Sequence, residues 1–172
     1  MELFIRTVRG ISTVFGVVAA ALVVAACLVV CDMVIERYFL KASTVWQTEF
    51  VMYSIIGATF LGSPYVLLTK GHVNIDLLPM YLGRKARLVL ALIVSLASLL
   101  FCMVLAWQSG EFWYRAWAGG WRTDTVWSLP LWIPHITLPV GAGILSLQYV
   151  ADIVCLVTGR EMPFGLNSEE LR

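Results

Sequence analysis

The chain has 172 residues, 60% hydrophobic and 13% charged, with a formal net charge of +1 and a mean hydropathy of +0.84. Soluble domains average roughly 45–50% apolar and about 25% charged residues. The composition therefore excludes a soluble enzyme, a disordered segment and a basic nucleic-acid binder. The chain is membrane-embedded. At about 20 residues per crossing helix it holds four or five spans and leaves no room for a soluble catalytic domain.

Gaps between charges mark the crossings. Arg9 and Asp32 are separated by 22 uncharged residues, Glu49 and Lys70 by 20, Arg87 and Glu111 by 23, and Asp124 and Asp152 by 27. A charge at the bilayer centre costs roughly 2.5–3.5 kcal/mol on insertion scales. Four such gaps predict an all-α integral membrane protein with four transmembrane helices, spanning 11–34, 46–69, 87–109 and 131–156. These form one transmembrane domain over 1–158, followed by a polar tail over 159–172. The ten-residue alternating segments of a barrel are not present.

The first span contains the unbroken apolar run Val14 to Cys31, behind Arg6 and Arg9. Val24-Ala25-Ala26-Cys27 resembles a lipoprotein cleavage box, but a signal h-region covers only about 7–15 residues. The run continues through Leu28-Val29-Val30-Cys31, so it reads as a retained first helix. The second span opens with Thr44-x-x-Gln47, a capping-box spacing. Glu49, in its first turns, suits the helix N-terminal dipole, worth about 0.3–1 kcal/mol when exposed. The alternative is a buried polar contact from Glu49 to another helix or subunit.

Ser54, Ala58 and Gly62 recur every four residues along this span, a spacing that lets helix backbones approach closely. Ser98, Cys102 and Ala106 repeat the pattern on the third span, and Gly16 with Ala20 and Gly141 with Gly143 add small patches. Packing among the four helices accounts for most of these, and the remaining lateral surface is open to a larger partner. The fourth span starts near Pro130–Pro134, since proline is best tolerated in a first turn. Pro64 and Pro139 fall inside spans and are expected to kink them.

Lys and Arg set the orientation. Arg6, Arg9, Lys70, Arg84, Lys85, Arg87, Arg160 and Arg172 lie on one side, against Arg37, Lys41, Arg115 and Arg122 on the other. The positive-inside rule places both termini in the cytoplasm. All seven tryptophans then fall at or near the outer side, as an interfacial belt or as a surface that also receives a partner protein. The central loop, Lys70-Gly71-His72-Val73-Asn74-Ile75-Asp76, would lie inside. Gly71 reads as a C-cap. His72 and Asp76 are four residues apart, and Val73, Leu77, Met80 and Tyr81 would give a short interfacial helix its apolar face. The loop reads first as a tight elbow, with Asp76 pairing Arg84 or Arg87.

Chemistry-bearing patterns are sparse. Cys27, Cys31, Cys102 and Cys155 form no Cys-x-x-Cys pair, which argues against a quinone-linked thiol oxidase and for buried apolar filler. His72 and His135 cannot ligate two haems. Nucleophile elbows, metal-ligand clusters and phosphate loops are missing from the sequence, so no catalytic, cofactor or metal residues are assigned. Asp32, Glu49, Glu111, Asp124 and Asp152 sit at span ends, leaving no mid-membrane charge for an autonomous ion-coupled pump. The chain reads as a subunit. The alternatives are a four-helix membrane redox or quinone-linked enzyme, and a self-sufficient small exporter.

Several stretches resemble one family. They are Trp46-x-x-Glu49, Gly57-Ala58, Gly71-His72-Val73-x-Ile75-Asp76, the basic Arg84, Lys85 and Arg87, Leu129-Pro130-Leu131-Trp132 and Leu138-Pro139-Val140-Gly141. Together they are similar to the small membrane subunit, of DctQ type, of tripartite ATP-independent periplasmic (TRAP) transporters. The family often has two adjacent acidic residues where this chain has Thr48-Glu49, and an aromatic residue at His135.

The resemblance implies a bacterial inner-membrane complex for uptake of organic acids. A periplasmic binding protein delivers the acid, and a large elevator-type subunit moves it with sodium. This chain would scaffold that subunit amid membrane lipids, with sodium coupling in the partner and no cofactor or nucleic acid of its own. Glu49, Ser54, Ala58, Gly62, Gly71, His72, Asp76, Arg84 and Arg87 would then be structural or subunit-interface residues. Arg115, Trp121 and Arg122 would dock the periplasmic protein.

Overall fold

A computed structural model describes residues 2–41, 43–69 and 84–158. Helix α1 runs Glu2–Ile35 and ends in a π-helical turn, Glu36–Leu40, closed by Lys41 in the left-handed region (φ 48°). Helix α2 is Val45–Leu68, α3 is Arg84–Ala118, α4 is the single turn Trp132–His135 and α5 is Thr137–Val157. Among the described residues four helical segments are long and apolar enough to cross a membrane, as the charge gaps predict. Among the described residues there is no strand, only an isolated bridge between Arg122 and Pro130.

Two helices overshoot the bilayer. At 1.5 Å per residue, α3 with its 35 residues is about 52 Å long, against a hydrocarbon core of about 30 Å. Its charge-free part ends before Glu111, so its last turns stand clear of the lipid. The end of α1 from Asp32 to Leu40 does the same. We call this the aromatic end, and the opposite one, where α1 begins and α5 finishes, the terminal end.

The helices do not form a closed bundle. The most extensive contact is α1 with α2; α5 packs on both and also carries α3. Among the described residues α3 makes no extended contact with α1 or α2. Among the described residues helix α5 is thus the one that packs extensively on α1, α2 and α3, and α3 is attached at the side.

Packing follows the logic of lipid rather than water. The fully buried side chains of greatest volume are Gln47, Gln148, Pro64 and Ser12, whereas Val14, Val17, Leu28, Leu100 and Phe101 lie outside. Lipid is as apolar as leucine, so helices associate through close van der Waals contact and polar links. On α1 the inward positions Ile5, Val8, Ser12, Phe15, Ala19, Leu22 and Ala26 step alternately by three and four, the spacing for side-by-side helices. Ala19 meets Ala58 and Leu61 of α2. A Cβ at Gly16 would lie 2.4 Å from Cγ of Tyr65, and one at Gly62 would lie 3.2 Å from the Ala19 Cβ.

The two internal prolines act differently. Pro64 is buried inside an unbroken α2. Having no N–H, it leaves the Phe60 carbonyl without its helical donor. That carbonyl faces α5 at Gly141, where an added Cβ would sit 2.4 Å from the oxygen. Glycine is required there by backbone approach, and a Cα–H···O contact fits the geometry. Around Pro139 the fourth crossing is interrupted at Ile136, dividing α4 from α5. Pro139 thereby falls in the first turn of α5, where a missing N–H costs little.

Candidate functional site

The aromatic end gathers most of the residues for which the sequence suggests an external role. Its centre is the exit from α3. Gly120 adopts φ +59°, its N–H bonds the Trp117 carbonyl, and Trp121 N–H reaches back to the Ala116 carbonyl at 3.0 Å. This double closure is a Schellman motif, which needs a left-handed residue such as glycine. It lays Trp121 edge-on over Phe112, with centroids 6.0 Å apart.

The next residues turn back as a small hairpin. Leu131 N–H bonds the Trp121 carbonyl at 2.9 Å and Thr123 N–H bonds the Leu129 carbonyl at 3.0 Å. Leu129 N–H bonds Thr123 Oγ1, and Ser128, at φ 48°, makes the tight turn. The tip carries Val126, 97% exposed. Trp127 packs edge-on to Trp46 at the start of α2, centroids 6.5 Å apart. Trp113 donates to the Trp132 carbonyl and stacks on Trp117. The tryptophans of this end mostly hold one another.

Of the three docking candidates, Arg115 and Trp121 stand on α3 and its cap, and Arg122 begins the hairpin; all are exposed. Arg115 pairs with Glu111 one turn earlier, both side chains solvent-accessible, an arrangement worth about 0.2–0.5 kcal/mol.

Beside this surface lies a half-open cleft of about 130 Å³ between α2, α3 and α4–α5, lined by Tyr53, Ile56, Phe112, Pro134, His135 and Leu138. His135 Nδ1 lies 2.5 Å from the Leu131 carbonyl, and its ring is 5.0 Å from Phe112. Among the described residues no group of three or more His, Cys, Asp or Glu is placed to hold a metal.

The remaining candidates divide clearly. Ser54 and Ala58 are buried, and Gly62 abuts Ala19, so this stripe packs within the chain. Glu49 is 8% exposed, not at the surface where a helix dipole would favour it, and its Oε2 has no hydrogen-bond partner. Gly71, His72 and Asp76, and the expected interfacial helix, lie outside the described residues. Arg84 and Arg87 fall in the first turns of α3, where only the backbone is described.

Two polar clasps emerge that sequence reasoning did not assign. At the aromatic end Gln47 Nε2 donates to Asp32 Oδ2 (3.2 Å) and Glu36 Oε2 (2.7 Å), tying α2 to α1. The expected capping box does not form: Thr44 makes no side-chain cap. Two carboxylates claim the Gln47 amide, and charge-assisted bonds are the stronger choice. Towards the terminal end Ser12 Oγ donates to Gln148 Oε1 (3.1 Å) and Gln148 Nε2 to Asp152 Oδ1 (3.1 Å), joining α1 to α5. A glutamine inside an apolar span was the available signal, since amides there bond across helices.

Four apolar crossings with polar links folded inward, and an organised aromatic end, define a multi-pass membrane protein. Residues 26–159 match the family described as tripartite ATP-independent periplasmic transporters, DctQ component. The chain belongs to that family, the small permease component of TRAP transporters. One relative is the C4-dicarboxylate TRAP transporter small permease protein DctQ of Vibrio cholerae, 23% identical across 80% of this chain and 69% of its own length. The protein of the same description from Pseudomonas aeruginosa is 23% identical, covering 76% of this chain and 63% of its own. The isethionate TRAP transporter permease protein DctMQ of Oleidesulfovibrio alaskensis is 22% identical over 65% of this chain, and the match covers 18% of that longer protein. These relatives are transporter permease components, not enzymes.

Proposed function

We propose that this chain is the scaffold subunit of an inner-membrane TRAP-type transporter, with both termini cytoplasmic. It holds a large elevator-type subunit while that subunit moves an organic acid with sodium. The observation carrying this reading is the direction of the polar groups: Ser12, Gln47 and Gln148 are fully buried and spent on links between helices of this chain. Fixed polar links suit a part that stays still, and apolar outer faces suit a lateral partner. Relatives named as permease components, one joined to a longer permease chain, support the partnership. The relatives' names point to C4-dicarboxylates or isethionate as the substrate class.

The aromatic end, on the periplasmic side in this orientation, would receive the binding protein through Arg115, Trp121 and Arg122. The test is uptake by proteoliposomes holding the large subunit, a sodium gradient and the loaded binding protein. Uptake should require this chain, and this chain alone should give none. Equal uptake without it would overturn the proposal.

A further inference from the structure

Glycine inside a membrane helix usually marks a close neighbour, because it weakens the helix relative to alanine and gives lipid little to pack on. Here the glycines can be accounted for one by one. Gly16 meets the Tyr65 ring, Gly57 meets Leu22 and Thr137, Gly62 meets Ala19, and Gly141 meets the Phe60 backbone. Gly143 is the exception within the apolar part of the spans: a Cβ there would find nothing within 4 Å. Gly10, also in open space, stands beside Arg9 at the terminal end.

Gly143 lies close to the middle of the apolar segment Trp132–Leu156. Val140, three residues before it, and Leu147, four after, are 36% and 46% exposed. At helical spacing these three share one face, a notch between two knobs. Over this stretch the face is turned from Gly141 and Gln148, through which α5 meets α2 and α1, and it is covered again at Ala151, four residues beyond Leu147. The mid-span outer faces of α1 and α3 offer no open glycine. Exposed Ala20 and Ala21 lie between Val17 and Val24, and Ala97 between Ile93 and Leu100, so the small residues there still carry a Cβ for lipid to pack on.

We propose that the Val140–Gly143–Leu147 face of α5 seats a transmembrane helix of the large subunit, with closest approach at Gly143. This rests on the small-subunit reading and specifies its interface. The occupant is argued from the longer permease relative, in which a stretch like this one shares a single chain with further permease sequence. Fusion fixes two parts side by side in one membrane plane, which suits a lateral helix contact. Helix α5 is also the element braced by α1, α2 and α3, so a helix seated there is held by the whole chain.

The test places a photo-crosslinking residue at Leu147, Leu100 or Val24 of the tagged chain, co-expressed with the large subunit and illuminated in native membranes. Leu147 should give an adduct with the large subunit, absent from Leu100 and Val24. In parallel Gly143→Leu should lower recovery of the large subunit with the tagged chain by about tenfold or more, as an overpacked contact does. Gly143→Leu should leave the chain's own thermal midpoint unchanged. Lipid adducts alone at Leu147, or an adduct with a second copy of this chain, would overturn the proposal. An adduct from Leu100 or Val24 instead would also overturn it, leaving the small-subunit reading intact. Failure of the unmodified chain to recover the large subunit would count against that reading itself.

Discussion

Gly141→Ala is a one-methyl probe of the α2–α5 contact. The new Cβ would lie 2.4 Å from the Phe60 oxygen, 2.6 Å from its carbonyl carbon and 2.9 Å from its Cβ. Ordinary contacts are about 3.5–4.0 Å, so the helices must part by about 1 Å. A gap of that size forfeits roughly a quarter to a half of each dispersion contact along the seam. Backbone atoms cannot turn aside as a flexible side chain would, and overpacking of this kind costs about 1–3 kcal/mol. For a chain of this length each kcal/mol lowers the thermal midpoint by about 2–4 °C. Tryptophan fluorescence melts of the purified chain in detergent would read it. Gly143→Ala, two residues on and in open space, is the matched control and should not lower the midpoint. Equal midpoints for the two variants would refute the close approach at Pro64–Gly141.

Other expected outcomes follow from the clasps and the aromatic end. Gln47→Ala removes both bonds to Asp32 and Glu36; hydrogen bonds to charged groups are worth about 1.5–3 kcal/mol, so amide exchange over 36–41 should accelerate, and unchanged exchange would deny the clasp. Gln148→Met removes the link to Ser12 at similar volume and should cost about 0.6–2 kcal/mol, read as a lower melting midpoint in detergent; an unaltered midpoint would show that the link contributes nothing. Alanine at Arg115, Trp121 and Arg122 together should weaken capture of the binding protein by the reconstituted complex about tenfold or more, the scale of interface anchors, while assembly persists. Undiminished capture and transport would dismiss these residues as a docking surface.

Much of this architecture is legible in sequence because lipid punishes buried charge so heavily. The gaps bounded by Arg9, Asp32, Glu49, Arg87, Glu111 and Asp152 locate the crossings. Partner choice is less legible. Thr44-x-x-Gln47 has the local spacing of a capping box, yet Gln47 is taken by carboxylates 15 and 11 residues away, a competition local spacing does not express. Gly141 and Gly143 look equivalent in sequence, but two residues on a helix point about 200° apart, and only the surrounding helices reveal which one is covered. Gly119-Gly120 before Trp121 was a readable helix stop, and from it follows the placement of Trp121 over Phe112.

A chain that acts as a fixed support for a larger membrane subunit must be bound to it in the membrane. The most direct measurement is affinity purification of the tagged chain from membranes also producing the large subunit, with the mass of the complex determined in detergent. A stoichiometric complex of the two chains is the expected result. Recovery of this chain alone, or only with copies of itself, would contradict it.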